Sequence, residues 1–348
     1  MKNNNRLLYL LIFILFVWCL ILSSQNNARR QEISQSVVNQ YEVDGFSTDL
    51  TAVVDEVRAG VVSISADNNL LSGFVYKQEG DSVYILSAYH GVANVSSITV
   101  RFGSSYSVPG ELIGHDIYLD LAVIRVNTPY IIEPLKTGDS IMLKRGEFLI
   151  AMGTPSSLDF QGSVELCMVS ASGIQIENSI LVEDERYNYF LSVIEVGNLL
   201  PSGYSGSPLI NMNGDVVGMI TMSTQGTSTL ALTINEMKMA ADQLMDGQQI
   251  ERKILGMKGT FLKDMYNYEK TNLNIAIEAI DGFYVERIRE NGLAYQAGIR
   301  TGDVITKING EDIIDLNSYL RAIYSDSAEL NIEYIRNSQT EMVSLVND

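Results

Sequence analysis

Gly203-Tyr204-Ser205-Gly206-Ser207-Pro208-Leu209 is the stretch on which the reading of this 348-residue chain turns. One serine stands between two glycines on a tight turn. An apolar strand resumes at Leu209 and Ile210 and again over Val216 to Ile220. Glycine at 203 and 206 lets the backbone approach a substrate carbonyl and take dihedrals that a side chain forbids. Such a turn can aim the amides of Gly203 and Ser205 at one point, as an oxyanion hole requires. A serine hydroxyl is a weak nucleophile, so a base and an orienting carboxylate must lie elsewhere in the chain.

The chain has two histidines. His90 ends the strand-like run Val83-Tyr84-Ile85-Leu86-Ser87-Ala88-Tyr89 and is followed by Gly91-Val92-Ala93, a setting that suits a fixed general base. Asp120 opens a second buried run, Leu121 to Val126. His115, in the polar connection Gly114-His115-Asp116, is the rival base and reads as a surface residue. The order His90, Asp120, Ser205 is that of chymotrypsin, not of subtilisin or the α/β-hydrolases. Each residue alone has a bland reading as a turn, a satisfied histidine or a strand cap. Their joint occurrence beside buried strands is what points to nucleophilic catalysis.

Tyr89-His90-Gly91-Val92, Asp120-Leu121-Ala122-Val123 and the 203–209 run resemble the three catalytic blocks of the HtrA (Deg) family of trypsin-like serine proteases. The similarity runs on through Gly153-Thr154-Pro155, Val169-Ser170-Ala171, Asn213 to Gly218 and Leu230 to Asn235. Ala294 to Ile305, with Ile308-Asn309-Gly310, resembles a PDZ signature. The resemblance implies a mainly β fold: a chymotrypsin-like double β-barrel over 31–247, then an α+β PDZ domain over 248–348. Two departures stand out. The family usually has Asn where Tyr204 stands and a second Gly where Ser207 stands. The approach Asn198-Leu199-Leu200-Pro201-Ser202 is also unusual, which bears on the specificity pocket and the resting turn.

Short β-branched and aromatic runs between glycine turns recur from about 50 to 235 and argue independently for paired all-β barrels. From Asn235 to Gly247, Met237, Ala240, Ala241 and Leu244 share one helical face, with Gly247 as the stop. Gln248 to Lys253 reads as a short linker, and further helices are expected near Gly292–Ala297 and Leu316–Tyr324. At the N-terminus, Leu7 to Leu22 is apolar, follows Lys2 and Arg6, and precedes no clear cleavage site. It reads as an uncleaved anchor within residues 1–30, an N-terminal transmembrane helix, with a cleaved signal peptide as the alternative. The resemblance to exported proteins places the rest outside the cytoplasm, in the periplasm of a bacterium and tethered to its inner membrane.

The chain carries 42 acidic and 24 basic residues, a net charge of −18. Four of the basic residues and none of the acidic ones precede residue 31, leaving a net of −22 beyond it. So acidic a body repels nucleic acid and anionic lipid. Cys19 lies in the apolar span and Cys167 is alone beyond it, so no disulfide is expected. No metal-ligand spacing and no phosphate-binding glycine loop is present, so no metal or other cofactor is expected.

The resemblance implies polypeptide substrates, with His90 as base, Asp120 as its orienter, Ser205 as nucleophile and the Gly203 and Ser205 amides as oxyanion donors. Substrate backbone would pair with Ile220, Thr221 and Met222. C-terminal peptides of misfolded or outer-membrane proteins would enter a PDZ groove lined by Ile254, Leu255, Gly256 and Met257 on one side and by Leu316, Leu320 and Ile323 on the other. An anchor and one PDZ segment look most like the stress-sensing branch of the family, an anchored homotrimer that makes a regulatory cut in a membrane-bound anti-sigma factor. A general quality-control protease and a catalytically silent peptide-binding scaffold are the alternatives.

Overall fold

The computed structural model describes residues 50–346 apart from 183–184, 225–227, 249, 251, 277–278, 280 and 326. The expected anchor over Leu7–Leu22 lies outside the described residues. Among those described, no helix is long and apolar enough to cross a membrane.

After helix α1 (Leu50–Val57) come six strands: β1 (Val61–Ala66), β2 (Asn69–Glu79), β3 (Ser82–Ala88), β4 (Ile98–Phe102), β5 (Tyr106–Asp116) and β6 (Leu121–Asn127). They close into a barrel in the order β1-β2-β3-β6-β5-β4. Its interior is filled by side chains such as Val62, Ile64, Val75, Ile85, Val100 and Ile124, each essentially inaccessible to solvent. The alternation of inward and outward residues in these short runs is what makes a closed sheet with a dry centre possible.

A second barrel repeats the plan with β7 (Phe148–Gly153), β8 (Ser163–Val182), β9 (Glu185–Val196), β10 (Pro208–Ile210), β11 (Val216–Thr224) and β12 (Ser228–Thr233). These close in the order β10-β11-β12-β9-β8-β7. Its core holds Leu149, Ala151, Cys167, Val169, Ile194, Leu209 and Val217, together with Tyr204. A seam of small hydroxyl residues joins the barrels. Ser63 Oγ lies 2.6 Å from Thr154 Oγ1, and the Thr154 amide donates to Ser72 Oγ at 2.9 Å.

Helix α2 (Ile234–Met245) buries Met237, Ala240, Ala241 and Leu244, the face expected from the sequence. Gly247 ends it with φ of +72° and an amide bonded to Leu244 O. Beyond lie β13 (Met257–Phe261), α3 (Asn267–Asn272), β14 (Phe283–Ile288), α4 (Leu293–Gln296), β15 (Val304–Ile308), β16 (Glu311–Asp312), α5 (Leu316–Ile323), β17 (Glu329–Arg336) and β18 (Gln339–Val346). The sheet runs β13-β14-β15-β17-β18, with β16 paired to β15.

The connecting segment is anything but a free tether. Arg252 is buried and bonds Asp116 of β5 at 2.9–3.0 Å and the Tyr324 hydroxyl at 2.6 Å, and lies beside Glu236 of α2. Its guanidinium also sits over the rings of Tyr118 and Tyr324.

Candidate active site

His90 sits in the single helical turn Tyr89–Gly91 that follows β3. The turn is gripped by Asp120. The Tyr89 amide donates to the Asp120 carbonyl at 2.9 Å, and the His90 amide donates to Asp120 Oδ1 at 2.7 Å. His90 Nδ1 meets Asp120 Oδ2 at 2.6 Å. Asp120 holds a left-handed backbone, φ +55°, which Asp tolerates better than most residues and which turns its carboxylate back onto the histidine. The hydroxyl of Thr221, from β11 of the other barrel, also donates to Asp120 Oδ2. The bond to Asp120 raises the His90 pKa above its ordinary 6.5, and partial burial opposes the rise. Asp120 therefore does two things at once: it fixes the ring with Nε2 outward and favours the imidazolium form.

Ser205 faces His90 across a groove of about 390 Å³ lined also by Asn69, Leu71, Ser156, Ser202 and Gly203. Among the described residues no hydrogen bond joins Ser205 Oγ to His90 Nε2. Such bonds are often long in unliganded sites and tighten with substrate. Gly203 and Gly206 have φ of +99° and +84°. A Cβ at Gly203 would stand 2.3 Å from Thr154 O, and one at Gly206 2.1 Å from Ser72 O. Only glycine serves at either place.

The five carbonyls from Pro201 to Ser205 all accept hydrogen bonds, from Tyr204 N, Ser156 N, Ser72 Oγ, Ser207 N and Ser72 N respectively. The Gly203 and Ser205 amides donate to nothing among the described residues. Two free donors on the wall that carries the nucleophile are what a developing oxyanion needs.

The expected substrate strand divides. Ile220 is spent on the fold: its amide donates to Ser207 O at 2.9 Å and its carbonyl accepts from Gly206 N at 2.7 Å. Thr221 falls in a register shift between β11 and β12 and gives its side chain to Asp120. The side chain of Met222 lies outside the described residues. β10 and the turn before it occupy one edge of β11 as far as Ile220, and past Ile220 that edge, the one away from β12, has no strand partner among the described residues. That edge is where an extended peptide could add.

The structure brings Ile254, Leu255, Gly256 and Met257 together with Leu316, Leu320 and Ile323 around one cavity. Its other walls come from the second barrel, through Gln175 and Tyr189–Ser192, from Tyr118 and Leu119 of the first, and from Glu236 and Arg252, and the space within is about 50 Å³. Gln175 Oε1 accepts the Gly259 amide of β13 at 2.8 Å, the kind of donor an added peptide strand would use.

Sequence reasoning overlooked Ser72 and the service of Thr221 to Asp120. A small Ser72-Gly73 pair inside an otherwise apolar strand was the available signal, since such pairs mark close backbone approach.

Residues 71–219 match the family model of the trypsin-like peptidase domain, and residues 284–336 match that of the PDZ domain. A serine protease HtrA-like protein of Staphylococcus epidermidis is 28% identical over 80% of this chain. The serine protease Do-like HtrB of Bacillus subtilis is 26% identical over 92% of it and 76% of its own length. The chain thus carries a trypsin-like peptidase domain followed by a PDZ domain and is similar to serine proteases of the HtrA type. It spans 49% of the length of the S. epidermidis relative and 34% of that of the HtrA-like proteins of Staphylococcus aureus. The solved HtrA-type protease AlgW with a tripeptide shares this HtrA fold at a TM-score of 0.60 and 21% identity, over 85% of this chain and 95% of its own. The serine endoprotease from Yersinia pestis does so at 0.53 and 20%, with the same coverage of this chain and 96% of its own.

Proposed function

We infer that the chain is a serine endopeptidase that hydrolyses peptide bonds through His90, Asp120 and Ser205. The observation that carries this reading is the 2.6 Å contact of His90 with Asp120 across a groove from Ser205, beside two free backbone amides. His90 Nε2 takes the Ser205 proton as Oγ attacks the carbonyl. The Gly203 and Ser205 amides hold the oxyanion, and His90 returns the proton to the leaving amine. Water then attacks the acyl-enzyme by the same route. The β11 edge beyond Ile220 aligns the substrate chain.

The PDZ segment regulates this activity by taking a C-terminal peptide tail. Solved AlgW structures carry a tripeptide or a decapeptide, which supports a peptide ligand. Gln175, which stands in the wall of the corresponding groove and already takes the Gly259 amide, supports a resting form that a tail must displace. With the apolar Leu7–Leu22 segment and one PDZ segment, the finer role is a regulatory cut in a membrane-bound anti-sigma factor, made outside the cytoplasm by an anchored homotrimer. Bulk degradation of misfolded exported protein is the competing role.

The test is fluorophosphonate labelling of the full chain and of Ser205→Ala, with and without a hydrophobic C-terminal peptide. Labelling that requires Ser205 and rises with peptide is expected. Labelling indifferent to peptide moves the role to constitutive quality control, and no labelling at all leaves a silent scaffold.

A further inference from the structure

We propose that Ser72, a first-barrel residue outside the triad, is a positioning residue that orients the oxyanion turn. This rests on the peptidase reading above. Ser72 is completely buried, and each of its polar groups is used at the active-site wall. Its hydroxyl donates to Gly203 O at 2.7 Å and accepts the Thr154 amide at 2.9 Å. Its own amide donates to Ser205 O at 2.9 Å, and its carbonyl accepts Ser87 Oγ at 2.8 Å.

The bond to Gly203 O matters because of where that carbonyl lies. Three consecutive peptide units make the turn: 202–203, 203–204 and 204–205. The outer two carry the free amides of Gly203 and Ser205, and the Ser72 hydroxyl holds the carbonyl of the middle one. A middle unit fixed in orientation sets the rotation available to both neighbours. Without it, glycine at 203 has the freedom to turn its amide away from the groove. The outer unit 202–203 has only the 3.4 Å bond from Ser156 N to Ser202 O, so it relies most on its neighbour. The Thr154 amide, held by the same oxygen, fixes the segment against which Gly203 packs. Ser72 touches neither the proton path nor the substrate. It acts through the amides.

The experiment compares the full-length wild type with Ser72→Ala, Ser63→Ala and Ser205→Ala. Ser63 is the matched control. It is also completely buried and its hydroxyl also bonds Thr154, but among the described residues it makes no hydrogen bond to the turn. The readouts are kcat and KM for p-nitrophenyl acetate, inhibition by phenylboronic acid, and the thermal midpoint. Losing one oxyanion donor outright typically costs about 10²–10³-fold, and Ser72 acts at one remove. Ser72→Ala is therefore expected to lower kcat about 10- to 100-fold, with KM within about threefold. Boronate affinity should fall in step, because its tetrahedral adduct places an oxygen among the same amides. Ser63→Ala should share the change in thermal midpoint and keep kcat. Unchanged kcat in Ser72→Ala overturns the proposal, as does an equal loss in Ser63→Ala. Should Ser72→Ala not fold, Ser72→Cys, with its weaker donor, is expected to lose kcat and boronate affinity together, and retention of both overturns the proposal. Wild type that behaves like Ser205→Ala defeats the peptidase reading itself, and this inference with it.

Discussion

Tyr204 precedes the nucleophile, and its ring stands in the second-barrel core at 1% exposure. Its hydroxyl has no hydrogen-bond partner among the described residues, and burial pushes its pKa up to about 12. Nothing in the structure explains the hydroxyl. An orphaned buried donor costs roughly 1–3 kcal/mol, so Tyr204→Phe is expected to raise stability by about 1 kcal/mol, read as a higher denaturant midpoint at constant m-value. His90 carries a second prediction at this scale. Because the bond to Asp120 favours the protonated ring, the neutral base accumulates only above a pKa higher than 6.5. Hydrolysis should therefore fall as pH drops through that raised value. Asp120→Asn should shift this acid limb downward and cut kcat by about 10⁴-fold, the loss known for an asparagine in this role. A limb at or below 6.5 in the wild type would contradict the geometry.

Among elements, the catalytic blocks and α2 were legible because each is local. His90 and Asp120 stand where buried strands begin or end, and the α2 face shows in Met237, Ala240, Ala241 and Leu244. What pairing decides was not legible. Ile220 looks like any strand residue until the β10–β11 bend spends its amide and carbonyl on Ser207 and Gly206. Ser72 joins residues 131 positions apart, a relation no local pattern encodes. The β8 strand illustrates the same limit, since Gln175 reads as a polar strand residue yet caps a β13 amide. Removing that cap with Gln175→Ala should tighten binding of a hydrophobic C-terminal peptide several-fold, measured by fluorescence anisotropy. Unchanged affinity would mean that Gln175 does not compete with the tail.

At the scale of the molecule, Arg252 and Lys253 are the clearest departure from their sequence reading, since two charged residues of an expected linker are buried. Charges leave water only where partners compensate them, and Arg252 has Asp116, Tyr324 and Glu236 around it. Glu236 is squeezed hardest: burial raises its pKa to about 7, and Arg252 opposes the rise. An unfolded glutamate titrates near 4.5, so the folded state binds the extra proton between about 4.5 and 7. This group's contribution is full below about 4.5 and is lost as pH rises through 7. Glu236→Gln should flatten that part of the stability–pH curve, and a thermal midpoint series from pH 4.5 to 8 reads the difference directly.

The hydroxyl seam between the barrels gives heat inactivation an order of events. Base and nucleophile are anchored in different barrels, and the oxyanion turn keeps its shape only while Ser72 of one touches Gly203 of the other. Parting the barrels by an ångström or two breaks that touch and melts neither β-sheet. The chain should therefore fail in two stages on warming, first as a catalyst and only later as a fold. Reactivity towards an active-site probe would then serve as a strain gauge for the seam, at temperatures where circular dichroism still reports an intact protein.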